Sequence, residues 1–394
     1  PGQPEPSTCL LPTRRTKNCP LSTINESRFV GTALAAALLR NHDSAGIVMP
    51  MDHARIQQIV ADHELPKFRL QQLQNAFFRQ QAESFQDITT LSKTLRAELA
   101  AGRPVFTVVP KTVQSDGDGT AYKALLELSD GCRIETVLMQ PKPGLWTACI
   151  SSQVGCALGC RFCATGALGF TRNLTSEEIT DQVLFWRNFL QREWNRTPLN
   201  NVVYMGMGEP FQNVANVFAS LDELMNPDTF GIGARHISVS TIGLVAQMPK
   251  FAARFPQVNL AVSLHTADQA TREELLPVGQ ANALPRLAQA LTDYLAATRR
   301  KLFIECILLR GVNDRPADAD RLSDYLKRIN PVNLVHVNLI RYNETNGRFQ
   351  APARETTRKF QQRLRDKGIK STIRKSLGRE IDAACGQLAG RRGS

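Results

Sequence analysis

The chain has 394 residues, 42% hydrophobic and 21% charged, a globular balance with room for one large domain and a smaller one. It has no apolar run of about 18 residues, which excludes a membrane-spanning helix, and its nine cysteines, odd in number and bunched, exclude a small secreted disulfide scaffold in favour of a reducing cytoplasm. Lys and Arg number 48 against 36 Asp and Glu, and the net charge of +12 favours a polyanionic partner such as nucleic acid, although a soluble enzyme that is simply basic has the same count.

Residues 1–48 mix Pro, Ser, Thr and Arg around one apolar run, Val30 to Leu39, and are expected to be a disordered extension, with Met49-Pro50-Met51 resembling a natural start. Arg14, Arg15 and Lys17 precede the run as in a targeting peptide, but no small-residue cleavage pattern follows it. Residues 49–100 predict a small helical domain: Ile56, Ile59 and Val60 share one face, followed by Phe68, Leu70, Leu73, Phe77 and Phe78. Its Lys67, Arg69 and Arg79 fit a nucleic-acid platform or a merely solvated face.

Over 101–145 the pattern changes to hairpins. Phe106 to Val109, Tyr122 to Leu128 and Ile134 to Met139 read as strands, divided by turns at Asp116-Gly117-Asp118-Gly119 and Asp130-Gly131. By alternation alone Glu135 is a solvent-facing strand residue. From 146 to 390 strands and helices alternate. The strands are Thr147–Ser151, Val202–Met207, His236–Ser240, Val258–Leu264, Leu302–Leu309, Leu334–Ile340 and a short Lys370–Ile373. The clearest helix runs from Thr175 to Trp194, with a Thr175/Glu178 capping box and a stripe of Ile179, Val183, Trp186 and Leu190. Repeated strand–helix units predict an α/β fold, a partial (β/α)6 barrel of the TIM type, behind the N-terminal helical domain.

The sharpest motif is Cys156-x-x-x-Cys160-x-x-Cys163. Three thiolates so close suit a soft metal centre, and three protein ligands leave one iron of a 4Fe-4S cluster open to a substrate's amino and carboxylate groups. Structural zinc, the competing reading, usually takes four ligands. The cluster loop follows the first strand of the series; Met205-Gly206-Met207-Gly208-Glu209-Pro210 follows the second, Ser240 ends the third, Ser263-Leu264-His265 the fourth, and Asn343 follows the sixth. All fall at C-terminal strand ends, where barrel enzymes keep their sites. Taken singly, each has an ordinary role: a tight turn capped by an exposed Glu, a turn hydroxyl, a structural histidine. Cys149 and Cys385 read alone as small buried hydrophobes, with Arg374, Lys375 and Arg379 able to favour a Cys385 thiolate.

Together these motifs resemble the RlmN/Cfr group of radical S-adenosylmethionine RNA methyltransferases, from about Met51 to Gly390. The resemblance rests on Ser151-Ser152-Gln153-Val154-Gly155-Cys156, Cys163-Ala164-Thr165-Gly166, Gly206-Met207-Gly208-Glu209-Pro210, Ser263-Leu264-His265 and the tail Asp382-Ala383-Ala384-Cys385-Gly386-Gln387. It implies that Cys156, Cys160 and Cys163 hold one 4Fe-4S cluster. It implies that Gly208, Glu209, Ser240, Ser263, Leu264, His265 and Asn343 line the S-adenosylmethionine site. Cys385 would carry the methyl group, Cys149 would resolve the adduct and Glu135 would accept a proton, with two S-adenosylmethionine molecules used per turnover. Ile242-Gly243 after Ser240-Thr241, and Arg341 before Tyr342-Asn343, depart from the family pattern. The implied substrates are 23S ribosomal RNA, methylated at carbon 2 of an adenosine, and transfer RNA at an anticodon-loop adenosine. An electron donor such as flavodoxin, a cytoplasmic location away from membranes and a monomer complete the expectation. A Cfr-like carbon-8 methyltransferase giving antibiotic resistance, and a non-catalytic iron–sulfur RNA-binding protein, are the alternatives.

Overall fold

A computed structural model describes residues 53–388 except 102–105, 196, 278–282 and 346. The extension expected over 1–48, and Gly390 at the end of the resemblance, lie outside the described residues. Helices α1 (His53–Asp62), α2 (Phe68–Gln74) and α3 (Lys93–Ala101) open the fold, with a wide π turn over Asn75–Arg79 continuing α2. The apolar face read from the sequence is what they bury: Ile56, Leu73, Phe77 and Phe78 are all buried, and Phe77 meets Phe85 edge to face at 5.3 Å. Phe68 is the exception, 57% exposed beneath the Arg69 guanidinium.

Three antiparallel strands follow, β1 (Val108–Ser115), β2 (Ala121–Leu128) and β3 (Arg133–Lys142), joined by the two expected turns. Asp116 makes the first turn by accepting from the backbone N–H groups of Thr120 and Ala121. Strand β1 begins later and runs longer than the Phe106–Val109 run suggested, because Val113 packs on the core from beyond it. Strand β4 (Leu145–Cys149) pairs antiparallel with β3 on one side and parallel with a later strand on the other. The hairpins are therefore hydrogen-bonded into the barrel sheet.

After the short hairpin β5 (Gln153–Gly155) and β6 (Phe170–Asn173), which encloses the one-turn helix α4 (Ala164–Ala167), comes α5 (Ser176–Glu193). Thr175 and Glu178 form the expected reciprocal cap, and Ile179, Val183, Trp186 and Leu190 are fully buried. The remaining units alternate: β7 (Leu199–Tyr204), α6 (Val214–Met225), β8 (Ile237–Thr241), α7 (Met248–Arg254), β9 (Asn259–Ser263), α8 (Gln269–Leu275), α9 (Leu284–Thr298), β10 (Leu302–Leu308), α10 (Pro316–Leu326), β11 (Val335–Arg341), α11 (Arg354–Asp366) and β12 (Ser371–Ile373). The sheet order is β1-β2-β3-β4-β7-β8-β9-β10-β11-β12, parallel from β4 onward. Among the described residues it does not close on itself, which makes it the partial barrel expected. The parallel strands bury apolar side chains such as Val202, Val239, Leu260, Ile304 and Val337, while β8 and β11 alternate them with half-buried polar residues such as Ser238 and Asn338. No described helix is long and apolar enough to cross a membrane.

Two glycines fix the loop around the cysteine motif. Gly155 has φ +74°, and a Cβ there would run into the Gly169 carbonyl, the group that accepts from Cys156 N at 2.8 Å. Gly208 has φ +99°, and its Cβ would lie 2.6 Å from that of Gln153. Gly155→Ala is therefore expected to separate β5 from β6 and to cut cluster iron content severalfold, as measured by iron and sulfide analysis after anaerobic reconstitution.

Candidate active site at the barrel mouth

A single cavity at the C-terminal ends of the parallel strands is walled by Cys156, Cys160, Cys163, Glu209, His265 and Cys385, with Gly208, Ser240 and Ser263 also on its surface. Four of the five segments that supply these residues meet where the strand-end argument placed them, and Cys385, expected there only from the resemblance, joins them. Leu264 and Asn343 do not line it. The Leu264 side chain is fully buried in the core, and only its backbone bears on the site, through N–H donation to the Glu305 carbonyl at 3.1 Å.

Two thiols of the cysteine motif, Cys156 and Cys160, stand in a setting hostile to bare thiolates. Burial pushes Cys156 up to about 11 and Cys160 well above the ordinary thiol range, and neighbouring thiol charge adds to both. A soft cationic centre relieves that cost by taking the proton's place. Among the described residues no three His, Cys, Asp or Glu side chains are grouped as for a single metal ion. A 4Fe-4S cluster asks for something else, one thiolate per iron at three corners, and the donor set fits it. Phe162 and Ile307 close the apolar side of this pocket, and Phe162 packs edge to face on the His265 ring at 4.7 Å.

Glu209 is buried, not the exposed turn cap of the simplest reading. Its Oε1 accepts from Phe211 N and its Oε2 from Ile242 N, each at 2.9 Å, while its own N–H donates to Gln153 Oε1. Burial outweighs these bonds and pushes the carboxyl up to about 7. A ligand ammonium on Glu209 would favour the ionised form, so binding below pH 7 must expel a proton. Affinity for S-adenosylmethionine is then expected to fall up to tenfold per pH unit below about 7 and to be flat above it. Titration calorimetry of the cluster-loaded protein should show this slope, and Glu209→Gln should remove it. The same raised carboxyl makes the folded protein hold a proton that the unfolded chain has lost. Stability from this group is therefore present below pH 4.5 and declines as pH rises through about 7.

His265 takes a left-handed backbone, φ +63°, at the end of β9. Its carbonyl accepts from Asn313 Nδ2 at 2.9 Å, and its Nδ1 accepts from Ile307 N at 3.2 Å. Burial, with Arg272 nearby, pushes the imidazole down to about 3, so it is neutral and its Nε2 carries the hydrogen. Ser240 and Ser263, on adjacent strands, have hydroxyls 3.4 Å apart.

Cys385 is brought to the cavity by a tail clamped from two sides. Ala164 N donates to Gly386 O and Thr165 Oγ1 to Leu388 O, so the cluster loop holds one side. Asn343 Nδ2 donates to Cys385 O and Gln387 Nε2 to Glu344 O, so the loop after β11 holds the other. Among the described residues Asn343 Oδ1 is buried without a partner, an acceptor beside Cys385. Cys149, at the end of β4, is buried and close enough to Cys385 to feel the charge of its thiolate, and neither is in a disulfide. Burial pushes Cys149 up to about 12 and raises Cys385. The Arg374 guanidinium counteracts the shift at both sulfurs.

Arg374 is itself held by Glu305 at 3.5 Å, and Glu305 accepts from Asn338 Nδ2 at 2.8 Å. Glu305 and Asn338 share a rung of the β10–β11 ladder, which also sets Ser263 opposite Glu305. Sequence reading noted Arg374 but missed Glu305; the available signal was one acid inside the otherwise apolar run Leu302–Leu308.

Glu135 is 4% exposed, which corrects the solvent-facing reading from alternation. It pairs with buried Lys123 on β2 at 3.1 Å, and Lys123 Nζ also reaches the Asp382 carbonyl at 3.5 Å. Glu135 therefore stands near the segment bearing Cys385, although it does not line the cavity.

The radical SAM superfamily model matches residues 150–323. A Clostridium botulinum (strain Okra) protein named "Ribosomal RNA large subunit methyltransferase Cfr" is 40% identical over 340 residues, covering 85% of this chain and 96% of that protein. A Chlorobium phaeovibrioides protein named "Probable dual-specificity RNA methyltransferase RlmN" is 39% identical over 363 residues, 89% and 95% of the two chains. The crystal structure of a radical SAM methyltransferase from Sphaerobacter thermophilus superposes with a TM-score of 0.81 at 40% identity, covering 87% of this chain and 98% of that one.

Proposed function

The chain belongs to the Cfr/RlmN family of radical S-adenosylmethionine methyltransferases, and we propose that it methylates carbon 2 of an adenosine in large-subunit ribosomal RNA, with an anticodon-loop adenosine of transfer RNA as a second substrate. The observation that carries this reading is one cavity holding Cys385 beside the three cysteines of the cluster motif, with the buried Cys149 behind it within reach of the Cys385 charge. An enzyme that methylates a nucleophile needs neither extra thiol. Carbon 2 of adenine is an amidine-type, electrophilic carbon that cannot attack a sulfonium methyl, so the methyl must arrive by another route.

Cys156, Cys160 and Cys163 would hold the 4Fe-4S cluster, and Gly208, Glu209, Ser240, Ser263, Leu264, His265 and Asn343 would form the S-adenosylmethionine site. When bound, these groups supply an electron and a carbon radical able to take a hydrogen atom from a methyl group. Cys385 Sγ, as thiolate, first accepts a methyl in a displacement that breaks the sulfonium–methyl bond. Its role is then to present the methylene carbon to the base. Glu135, fixed by Lys123, takes the ring proton from the adduct. Cys149 thiolate attacks Cys385 Sγ, the sulfur–carbon bond breaks with its electron pair going to the methylene carbon, that carbon takes a proton to become the methyl group, and methylated RNA leaves behind a Cys149–Cys385 disulfide that an external dithiol reduces. Residues 49–100 would serve as an RNA platform, with flavodoxin or a similar donor supplying electrons to a monomeric enzyme in the cytoplasm.

The test is anaerobic turnover on a large-subunit ribosomal RNA fragment, followed by nucleoside mass spectrometry. 2-Methyladenosine is expected. 8-Methyladenosine would move the protein to the other carbon, and 5′-deoxyadenosine without methylated adenosine would sink the substrate assignment.

A further inference from the structure

At the opposite end of the barrel, a second cavity of about 430 Å³ lies where the π turn over Asn75–Arg79 meets the C-terminal part of α5 and the start of β7. We infer that it is a phosphate-binding site, built by Arg79 and Arg187 with Gln191 and Thr197, and that its occupant is a backbone phosphate of the RNA substrate, a clause that rests on the function proposed above.

Each guanidinium is fixed by a carbonyl of the loop after α6. Arg79 Nη2 donates to Pro227 O at 2.5 Å, and Arg187 Nη2 to Phe230 O at 2.8 Å. Arg187 also lies over the Phe230 ring, 5.2 Å from its centre. Only part of each five-donor fork is used in this way. Among the described residues no acidic side chain lines the cavity and no carboxylate comes within ion-pair distance of either arginine. The next basic residue on α5, Arg192, is matched with Glu83. Burial and the charge of Arg79 push Arg187 down to about 10, so the pair is held together against its own repulsion.

An oxyanion offering several acceptors to two planar forks is what such a pair binds, and phosphate is the anion whose geometry suits them. Gln191 is one helical turn beyond Arg187 on the same face. Leu199, at the start of β7, borders this cavity, and Tyr204, at its end, borders the active-site cavity. The two sites thus lie about 17 Å apart along one strand, at ~3.3 Å per residue, within the span of a folded RNA.

Gln191→Glu is the sharpest probe. It keeps the side chain's size, gives up only the long 3.4 Å donation from Gln191 Nε2 to Gln80 O, and sets an internal carboxylate beside both arginines, so it should leave the melting temperature close to wild type while weakening RNA binding several-fold. The slope of log affinity against log salt should fall by about 0.7–0.9, the contribution of one phosphate contact. Arg79→Gln, which keeps a donor for Pro227 O, should give the same loss. Inorganic phosphate should raise the melting temperature of the wild type and not that of Gln191→Glu. Loss of phosphate protection with an unchanged RNA salt slope would support the phosphate site but overturn the RNA backbone as its occupant. An unchanged salt slope and unchanged phosphate response in both variants would overturn the site itself. A wild type that methylates RNA in that case keeps the function proposed above. A wild type that binds phosphate here yet methylates no RNA loses that function and keeps this site.

Discussion

Cys385→Ala is expected to lower RNA methylation by more than about a thousandfold while cluster content and S-adenosylmethionine binding stay close to wild type. The tail is positioned by backbone groups: the Cys385 carbonyl accepts from Asn343, the Gly386 carbonyl from Ala164 N and the Leu388 carbonyl from Thr165. Alanine keeps all of them and removes only the sulfur. Loss of a group that carries the reacting atom costs the whole pathway, as with covalent nucleophiles elsewhere. Iron analysis, ligand titration and mass spectrometry of the RNA measure the three quantities separately. Residual methylation above about a tenth of wild type would remove Cys385 from the route.

Cys149→Ala is expected to stop the reaction one step later. If Cys149 frees the product by attacking Cys385 sulfur, its loss should limit the enzyme to at most one event and leave RNA covalently attached at Cys385. A denaturing gel with labelled RNA should show a shifted, protease-sensitive species in Cys149→Ala and none in the Cys149→Ala/Cys385→Ala pair. The side chain is 5% exposed against core residues, so deleting its sulfur should cost on the order of 1–2 kcal/mol of stability. That is small enough for the barrel to fold. Multiple turnovers without a trapped species would show that Cys149 has no part in release.

What the sequence disclosed followed the range of the interactions involved. The cluster cysteines were legible because eight residues of chain carry all three, and the barrel strands because runs or alternations of apolar residues mark them between turns. The α5 cap was legible because its two partners are three residues apart. Glu135 was not, since its partner Lys123 stands on the neighbouring strand and alternation treats any charge as outward-facing. Glu305 shares that fate: its contacts, Asn338 and Arg374, come from β11 and from just after β12. The β5–β6 hairpin that carries the cluster loop left no pattern in its few residues; its pairing depends on Gly155 admitting the Gly169 carbonyl. The family resemblance supplied Glu135, Cys149 and Cys385 as a set, which local spacing could not.

The double clamp on the tail also has a kinetic side. The bond from Thr165 to Leu388 closes a loop of 223 residues, and the tail contributes little helix or strand of its own to reward that closure. Contacts of such long range form late in folding and are among the first to open afterwards. Were those few bonds to open together, the tail would leave a barrel already complete. Each detachment would uncover the cysteine loop from above and carry Cys385 away from Cys149, making the tail both the door through which a bulky base reaches the barrel mouth and the reactive part that comes down upon it.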